Sequence, residues 1–285
     1  MDFRRILFPV DFSDLSIAAA RYVSGMAALF HSKIDLVYAV EDPLPWYGAP
    51  DPIRVLEVDI PRVLRESEER LRGFAATHFQ KMDAAIHVAL RGPLELIEAI
   101  AGDTRADLIM MPTHGRGRFR SALLGSVTAK VLHDLKIPVW TDAHAQAPAD
   151  HWPVRTVACA IDLSAESAQV LRFAADFANR CAAQMFVVHG VPVAEMRLGA
   201  YSKIKPPVYM ADFARAEIEK LQREAGTAFE IHVDGGPIAS VVRDGALQRN
   251  ADIVVIGRGL ISGSGHLAAH AYSIIREAPC PVLSL

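Results

Sequence analysis

The sequence predicts an α/β protein made of two copies of one domain in tandem, each a five-stranded parallel sheet flanked by helices. Three observations carry this. The chain has 285 residues, a length that suits about two domains. It repeats itself: Asp11, Ser13 and Arg21 recur as Asp162, Ser164 and Arg172, each pair 151 residues apart (162 − 11), and self-similarity at a fixed offset marks a duplicated unit. Within one copy, short apolar runs alternate with segments of helical period, as strands and helices do around a parallel sheet.

The repeat runs to the end of the chain. Leu36 and Val37 match Val187 and Val188 at the same offset of 151 (187 − 36). Asp107-Leu108-Ile109 then matches Asp252-Ile253-Val254, 145 residues on (252 − 107), and Ile137-Pro138-Val139 matches Cys280-Pro281-Val282, 143 residues on (280 − 137). The second copy has therefore lost about six residues in its middle and two more after Ile256. Residues 143–153, rich in Ala, Pro and polar side chains without a period, read as a linker. The expected domains are 1–142 and 154–285.

In the first copy, Arg5–Val10 is a short apolar run and a buried strand. Ser13 or Asp14 can cap the helix that follows, in which Ile17, Ala20, Val23, Ala27 and Phe30 recur at helical spacing. Ile34–Val40 is the second strand. Residues 41–61, with Pro43, Pro45, Pro50, Pro52 and Pro61, are expected to be irregular, and a helix charged on one face is expected at 62–80. Ala84–Ala89 is the third strand. Gly92-Pro93 opens a helix ending near Gly102, and Asp107–Met111 is the fourth strand. A glycine-bearing loop leads to a helix at 126–134, and Val139–Thr141 is the fifth strand. In such sheets ligands bind beyond the carboxyl ends of the strands, which singles out Asp11, Ala39 with Val40, and the loop after Met111.

Composition narrows the function classes. With 51% hydrophobic residues, 22% charged and a net charge of −3, there is no basic excess for nucleic acid and no polybasic tract for anionic lipid. No apolar stretch approaches the ~18 residues of a membrane span, and the run Ile6–Val10 is too short for a signal-peptide core. A cytoplasmic protein is expected. Cys159, Cys181 and Cys280 stand far apart without a C-x-x-C and read as buried thiols.

The chemistry concentrates in MPTHGRGRFRSALLGSVTAKV from Met111. Gly115 and Gly117 let backbone approach a ligand. Gly125-Ser126 directly precedes a helix, with Ser126 the expected N-cap. The unpaired N–H groups and dipole of a helix start favour a phosphate. Arg116, Arg118 and Arg120 add positive charge. Glycines in turns, a capping serine and solvated arginines would look the same. The loop is neither a Walker loop nor G-x-G-x-x-G.

These residues resemble the universal stress protein family, in its tandem form. The family carries a G-x-x-G-x9-G-[ST] loop after strand four, an Asp after strand one and a Pro-Val ending. The first copy has Gly115, nine residues and Gly125-Ser126, together with Pro9-Val10-Asp11-Phe12-Ser13 and Ile137-Pro138-Val139. The resemblance implies Rossmann-like domains paired through their last strands. It also implies an adenine nucleotide (ATP, AMP or ADP), with or without Mg²⁺. Asp11 would accept from the adenine amino group, Pro9 and Val10 would lie beside the base, and Ala39 would offer backbone to it. Gly115, Gly125, Ser126 and Val127 would hold ribose and phosphates, and Met111, Pro112, Thr113, His114 and Arg116 complete the expected nucleotide-binding set. One departure is Pro112, which replaces the motif's first glycine and has no N–H to donate.

The second copy departs further. Gly257 keeps the first glycine, but the loop is two residues short and Ala268-Ala269 stand where Gly125-Ser126 stand in the first copy. Asp162 remains, in a position where it can cap the next turn, and Gly263 and Gly265 offer a different loop. One nucleotide per chain, in the first copy, is the expectation. His266 and His270 share an i, i+4 spacing on an expected helix face, and no metal-ligand cluster or nucleophile–base pair is visible. Trp46, Tyr47, Tyr201 and Tyr209 lie in the two Pro-bearing inserts, as partner anchors or local packing. The implied function is a nucleotide-binding sensor or regulator in the stress response, with an unknown protein partner and room for a homodimer beside the intrachain pairing. The alternatives are a slow ATPase or nucleotidyl-transfer enzyme, or a nucleotide-free scaffold.

Overall fold

The computed structural model describes residues 2–41, 59–114, 124–143, 152–192, 207–258 and 267–285, with backbone only at 267–269. The chain divides into two compact units, Asp2–Met111 and Pro112–Leu285.

The first unit holds β1 (Arg5–Pro9), α1 (Asp14–Phe30), β2 (Lys33–Val40), α2 (Ile60–His78), β3 (Ala84–Leu90), α3 (Pro93–Thr104) and β4 (Leu108–Pro112, its last residue falling in the other unit). The strands are parallel in the order β3-β2-β1-β4. Ile6, Leu7 and Phe8 are all fully buried, because helices cover both faces of such a sheet. The helix α1 begins where Ser13 accepts from the Ser16 N–H and ends at left-handed His31. The helix α2 starts at Ile60 rather than at 62, with Pro61 inside its first turn and Asp59 accepting from the Arg62 N–H at 3.0 Å. Proline is tolerated there because the N–H it lacks has no partner in a helix's first turn. Most of the irregular segment expected at 41–61, including Trp46 and Tyr47, lies outside the described residues.

One polar cluster is built into this sheet. The Asp35 carboxylate, on β2 and fully buried, accepts from Arg5 Nε on β1 at 2.6 Å and from His87 Nε2 on β3 at 2.8 Å. Burial pushes its pKa up, but the bonds from His87 and Arg5 outweigh that and hold it below its ordinary value of 3.8. A depressed carboxylate pKa contributes stability that is present at neutral pH and lost as pH falls through the folded value. Asp35→Asn is therefore expected to destabilise the protein by about 2–3 kcal/mol at pH 7, discounted from a fully buried pair because Arg5 is partly exposed. The difference should shrink below pH 3.8, as pH-dependent urea melts of both proteins would record.

The second unit holds α4 (Ser126–Asp134), β5 (Val139–Asp142), β6 (Thr156–Ala160), α5 (Ser167–Cys181), β7 (Gln184–Val191), α6 (Val208–Ala225), β8 (Glu230–Gly235), α7 (Ile238–Gln248), β9 (Ile253–Ile256), α8 (Leu267–Glu277) and β10 (Val282–Ser284). Its strand order is β5-β10-β9-β6-β7-β8, parallel throughout except that β5 runs antiparallel to β10. The last strands of the two repeats thus pair, with Trp140 opposite Leu283. Two buried hydroxyls lock the seam: Thr141 Oγ1 donates to the Val282 carbonyl at 3.3 Å and Ser284 Oγ to the Val139 carbonyl at 3.1 Å. Tyr272 of α8 donates to the Ala129 carbonyl of α4 at 3.2 Å. Each strand covers an edge that would otherwise template aggregation.

The protein is α/β, with two tandem Rossmann-like repeats, as expected. Tyr209 lies in the first turn of α6 and is exposed, not in a loop, whereas Tyr201 is outside the described residues. Cys159 and Cys280 are buried, and burial pushes both thiols well above their ordinary range. None of the described helices is long and apolar enough to cross a membrane.

Candidate functional site

In the first unit the order β3-β2-β1-β4 reverses direction between β1 and β4, the place where open α/β sheets bind ligands. Ile6 and Leu7 sit beside Leu108 and Ile109, so the two strands end together. Pro9 closes β1, half-buried, and the buried Val10 donates its N–H to the Val37 carbonyl at 2.8 Å. Ala39, half-buried, lies near the end of β2 opposite Ala89. Met111 is buried near the end of β4.

Asp11 follows in a tight turn. Its Oδ1 accepts from the Ser13 N–H at 3.0 Å, from Ser13 Oγ at 2.6 Å and from Ser16 Oγ at 2.6 Å. Phe12 has φ 59°, a left-handed conformation that costs a bulky residue energy and gathers at functional turns. Its ring is held edge-on by Phe74, centroids 5.9 Å apart, and covered by the Arg70 guanidinium at 4.0 Å. The second repeat copies the device. Asp162 Oδ1 accepts from the Ser164 N–H and from Ser167 Oγ, both at 3.0 Å, and Leu163 has φ 64°. The buried Ser16 and Ser167 were not singled out in the sequence, although a D-x-S-x-x-S pattern present in both copies would have found them.

The loop after β4 belongs to the second unit. The buried Pro112 accepts from Thr128 Oγ1 at 3.2 Å through its carbonyl. Thr113 is buried, and both its N–H and its hydroxyl donate to the Asp142 carbonyl, at 3.1 and 3.2 Å. Since that hydroxyl proton is committed, the 2.9 Å contact between Thr113 Oγ1 and His114 Nδ1 requires the ring nitrogen to donate. Burial lowers the His114 pKa, so the ring is neutral and its Nε2 is an acceptor. Among the described residues that buried Nε2 has no partner. Gly115 and Arg116, with Gly117, Arg118 and Arg120, lie outside the described residues.

Gly125, not Ser126, is the N-cap of α4. Ser126 is the first helical residue and is exposed, and Val127 is half-buried. The sequence places the cap one residue late because serine is the better capping side chain. No side chain caps the start of α4, and its first turn carries no acidic residue. Gly125 donates its N–H to the Thr113 carbonyl at 2.8 Å, and a Cβ at Gly125 would lie 2.9 Å from that same oxygen. Only glycine brings the helix start this close to the strand end.

In the second repeat the sheet reverses between β6 and β9. There a cleft of about 640 Å³, counting space open to solvent, is lined by Asp162, Glu166, Val188, Ile256, Arg258 and His270 among others. Arg258 was not foreseen. Its guanidinium donates to the carbonyls of Leu132 at 2.9 Å, Leu135 at 2.7 Å and Ile137 at 2.6 Å, at the end of α4 and just beyond. Its Nε donates to the Leu285 carbonyl at 3.1 Å. Burial pushes its pKa down to about 10, which leaves it charged at neutral pH. The helix α8 begins at Leu267, two residues before Ala269, which aligns with the first residue of α4. Gly263, Gly265 and His266 lie outside the described residues, and His270 is exposed on α8. Among the described residues no three His, Cys, Asp or Glu side chains gather as a metal site would need.

Comparison with known proteins agrees with the repeat. The model of the universal stress protein family matches residues 2–141 and again 153–285. A universal stress protein of Methanocaldococcus jannaschii is 30% identical over 139 residues, 48% of this chain and 80% of that protein. One from Thermus aquaticus is 34% identical over 140 residues, 48% of this chain and 96% of that protein. The crystal structure of a universal stress protein from Archaeoglobus fulgidus is 19% identical and superimposes with a TM-score of 0.72, covering 100% of this chain and 98% of that one.

Proposed function

This chain belongs to the universal stress protein family, and from that premise we propose that it is a nucleotide-binding regulator of the stress response. It takes one adenine nucleotide, ATP with its Mg²⁺ foremost, in the first of two domains spanning 1–142 and 154–285, and works in the cytoplasm. The pairing of β5 with β10 acts as an intrachain pseudo-dimer, to which a homodimer or a protein partner can add.

The observation that carries the reading is the start of α4. Its first N–H groups are uncapped by side chains, free of acidic neighbours, and set against the strand end by a glycine that no other residue replaces without a clash. That is the chemistry of a phosphate cradle. Ser126 and Val127 hold phosphate oxygens, Gly125 shapes the cradle while its own N–H stays on the Thr113 carbonyl, and Gly115 and Arg116 are assigned by the family motif. His114 Nε2 accepts a hydroxyl or N–H near the ribose, alongside Thr113. Asp11 keeps Oδ1 for its serines and turns its carboxylate to the adenine amino group, with Pro9, Val10, Ala39 and Met111 around the base. Pro112 supplies no N–H, which weakens affinity without abolishing it.

Nucleotide released from the purified protein, followed by ATP titration, tests this. Ser126→Ala should weaken ATP only two- to tenfold, since the helix N–H groups survive. Product release is followed in the same titration, and turnover on the scale of ordinary enzymes, at or above ~1 per second, would replace the regulator by an ATPase.

A further inference from the structure

The strand β3 ends the order β3-β2-β1-β4 of the first unit, with β2 on one side of it. We propose that its open edge is an interface between two copies of this chain, joined antiparallel about a two-fold axis at His87. The pairing needs no nucleotide and stands apart from the site proposed above.

The ladder shows which backbone groups are on offer. The strand β3 runs parallel to β2, with Ile34 beside Ala84 and Val40 beside Leu90. The Asp83 carbonyl accepts from the Ile34 N–H at 2.8 Å, and the Arg91 N–H donates to the Val40 carbonyl at 3.3 Å. Successive residues of a strand turn their backbone groups to opposite sides, so the odd-numbered residues from Asp83 to Arg91 face β2. Ala84, Ile86, Val88 and Leu90 turn theirs to the open side, where no strand pairs with them among the described residues.

One register uses all four. Setting Ala84 opposite Leu90 and Ile86 opposite Val88 of the second copy puts every outward residue in a hydrogen-bonded pair, for about eight bonds in all. These side chains share one face of the sheet, so the register also sets apolar against apolar. Ile86 meets the β-branched Val88 twice, a favourable cross-strand pair. On the other face the small Ala85 and Ala89 oppose each other on either side of His87, whose imidazole is turned to Asp35 of its own chain at 2.8 Å. The same register brings Asp83 opposite Arg91 at both ends. Both residues are exposed, and Asp83 meets Lys33 through Oδ2 at 2.9 Å. The edge is thus complementary to itself in backbone, packing and charge.

The edge strand of the second repeat is guarded against such pairing. In β8, Glu230 and Asp234 place two carboxylates on the strand, and Arg215 Nη1 donates to the Ile231 carbonyl at 3.3 Å. Charged residues and covered backbone are how sheets refuse a further strand. By contrast β3, with the sequence AAIHVAL, carries no acidic residue, lysine or proline, and all seven of its residues are half-buried.

Sedimentation equilibrium of the full-length chain tests the interface. A single pair of edge strands makes a small contact of the weak class, so wild type is expected to be dimeric at about 100 μM chain and to dissociate on dilution. Arg91→Glu sets like charges together twice per dimer and should weaken association about tenfold. Asp83→Lys/Arg91→Glu restores opposite charges at the same two places and should recover the dimer. Monomeric wild type at that concentration, a dimer indifferent to Arg91→Glu, or one that the charge swap does not recover would overturn the proposal. ATP titrated into the same samples keeps the two readings apart. A dimer that Arg91→Glu weakens and the swap restores, but that binds no ATP, would overturn the nucleotide site and leave this interface supported.

Discussion

Gly125→Val is expected to reduce ATP affinity at least a hundredfold. The Cβ it introduces would stand 2.9 Å from the Thr113 carbonyl oxygen and 3.6 Å from the His114 Cα. Both neighbours are backbone and cannot rotate away. Thr113 is itself fixed, since its N–H and hydroxyl both bond the Asp142 carbonyl. The start of α4 must therefore move outward, and its N–H groups lose their aim. Misplacement by about 1 Å is enough for losses of order a hundredfold where geometry carries the interaction. Overpacking should also lower stability by about 1–3 kcal/mol, so the variant is compared with Gly102→Ala. At Gly102, in α3, a Cβ meets nothing within 4 Å, and alanine should leave ATP binding unchanged while stabilising the helix by about 0.5–1 kcal/mol. Calorimetric titration of both variants separates a lost cradle from a merely weakened fold.

Arg258→Ala is expected to produce the largest loss of stability, about 3–4 kcal/mol, which for a protein of this size corresponds to a fall of about 10 °C in melting midpoint. One guanidinium serves four carbonyls, three at the end of α4 and just beyond and one at the chain's last residue. Arginine near a helix C-terminus meets carbonyls that the helix leaves unpaired, and its charge suits the negative end of the dipole. Alanine removes every donor at once. Arg258→Lys keeps the charge but replaces a planar fork by a single ammonium, and should recover about half the loss. Thermal melts followed by circular dichroism measure both. Equal melting of wild type and Arg258→Ala would show that the guanidinium is ornamental.

Much of this architecture was legible because the information was local. Strands announced themselves as apolar runs between turn residues, and α4 lay at 126–134 as its period predicted. The errors were local too. Pro61 looked like a breaker but sits where a helix does not need its N–H, and Ser126 outscored Gly125 as a cap although steric room at the strand end, which propensity does not report, decides that position. What stayed hidden depends on distance in sequence. Arg258 bonds carbonyls more than 120 residues away, and nothing in its own neighbourhood distinguishes it from a solvated loop arginine. The pairing of β5 with β10 was available only through the family resemblance. The Asp-Ser-Ser turn was written in both repeats and overlooked, because the serines read as ordinary helix-start residues until Ser16 and Ser167 proved buried. The second cleft was discounted on its missing glycine and serine.

The central claim is that the first repeat binds a nucleotide and the second does not. The most direct measurement is the number of ATP molecules bound per chain at saturation, taken by equilibrium dialysis up to about millimolar ATP on wild type, Gly125→Val and Asp162→Asn. The expected result is one per chain in wild type, none in Gly125→Val and one in Asp162→Asn. Two per chain in wild type, or one that survives Gly125→Val and disappears with Asp162→Asn, would contradict it, and so would no binding at all.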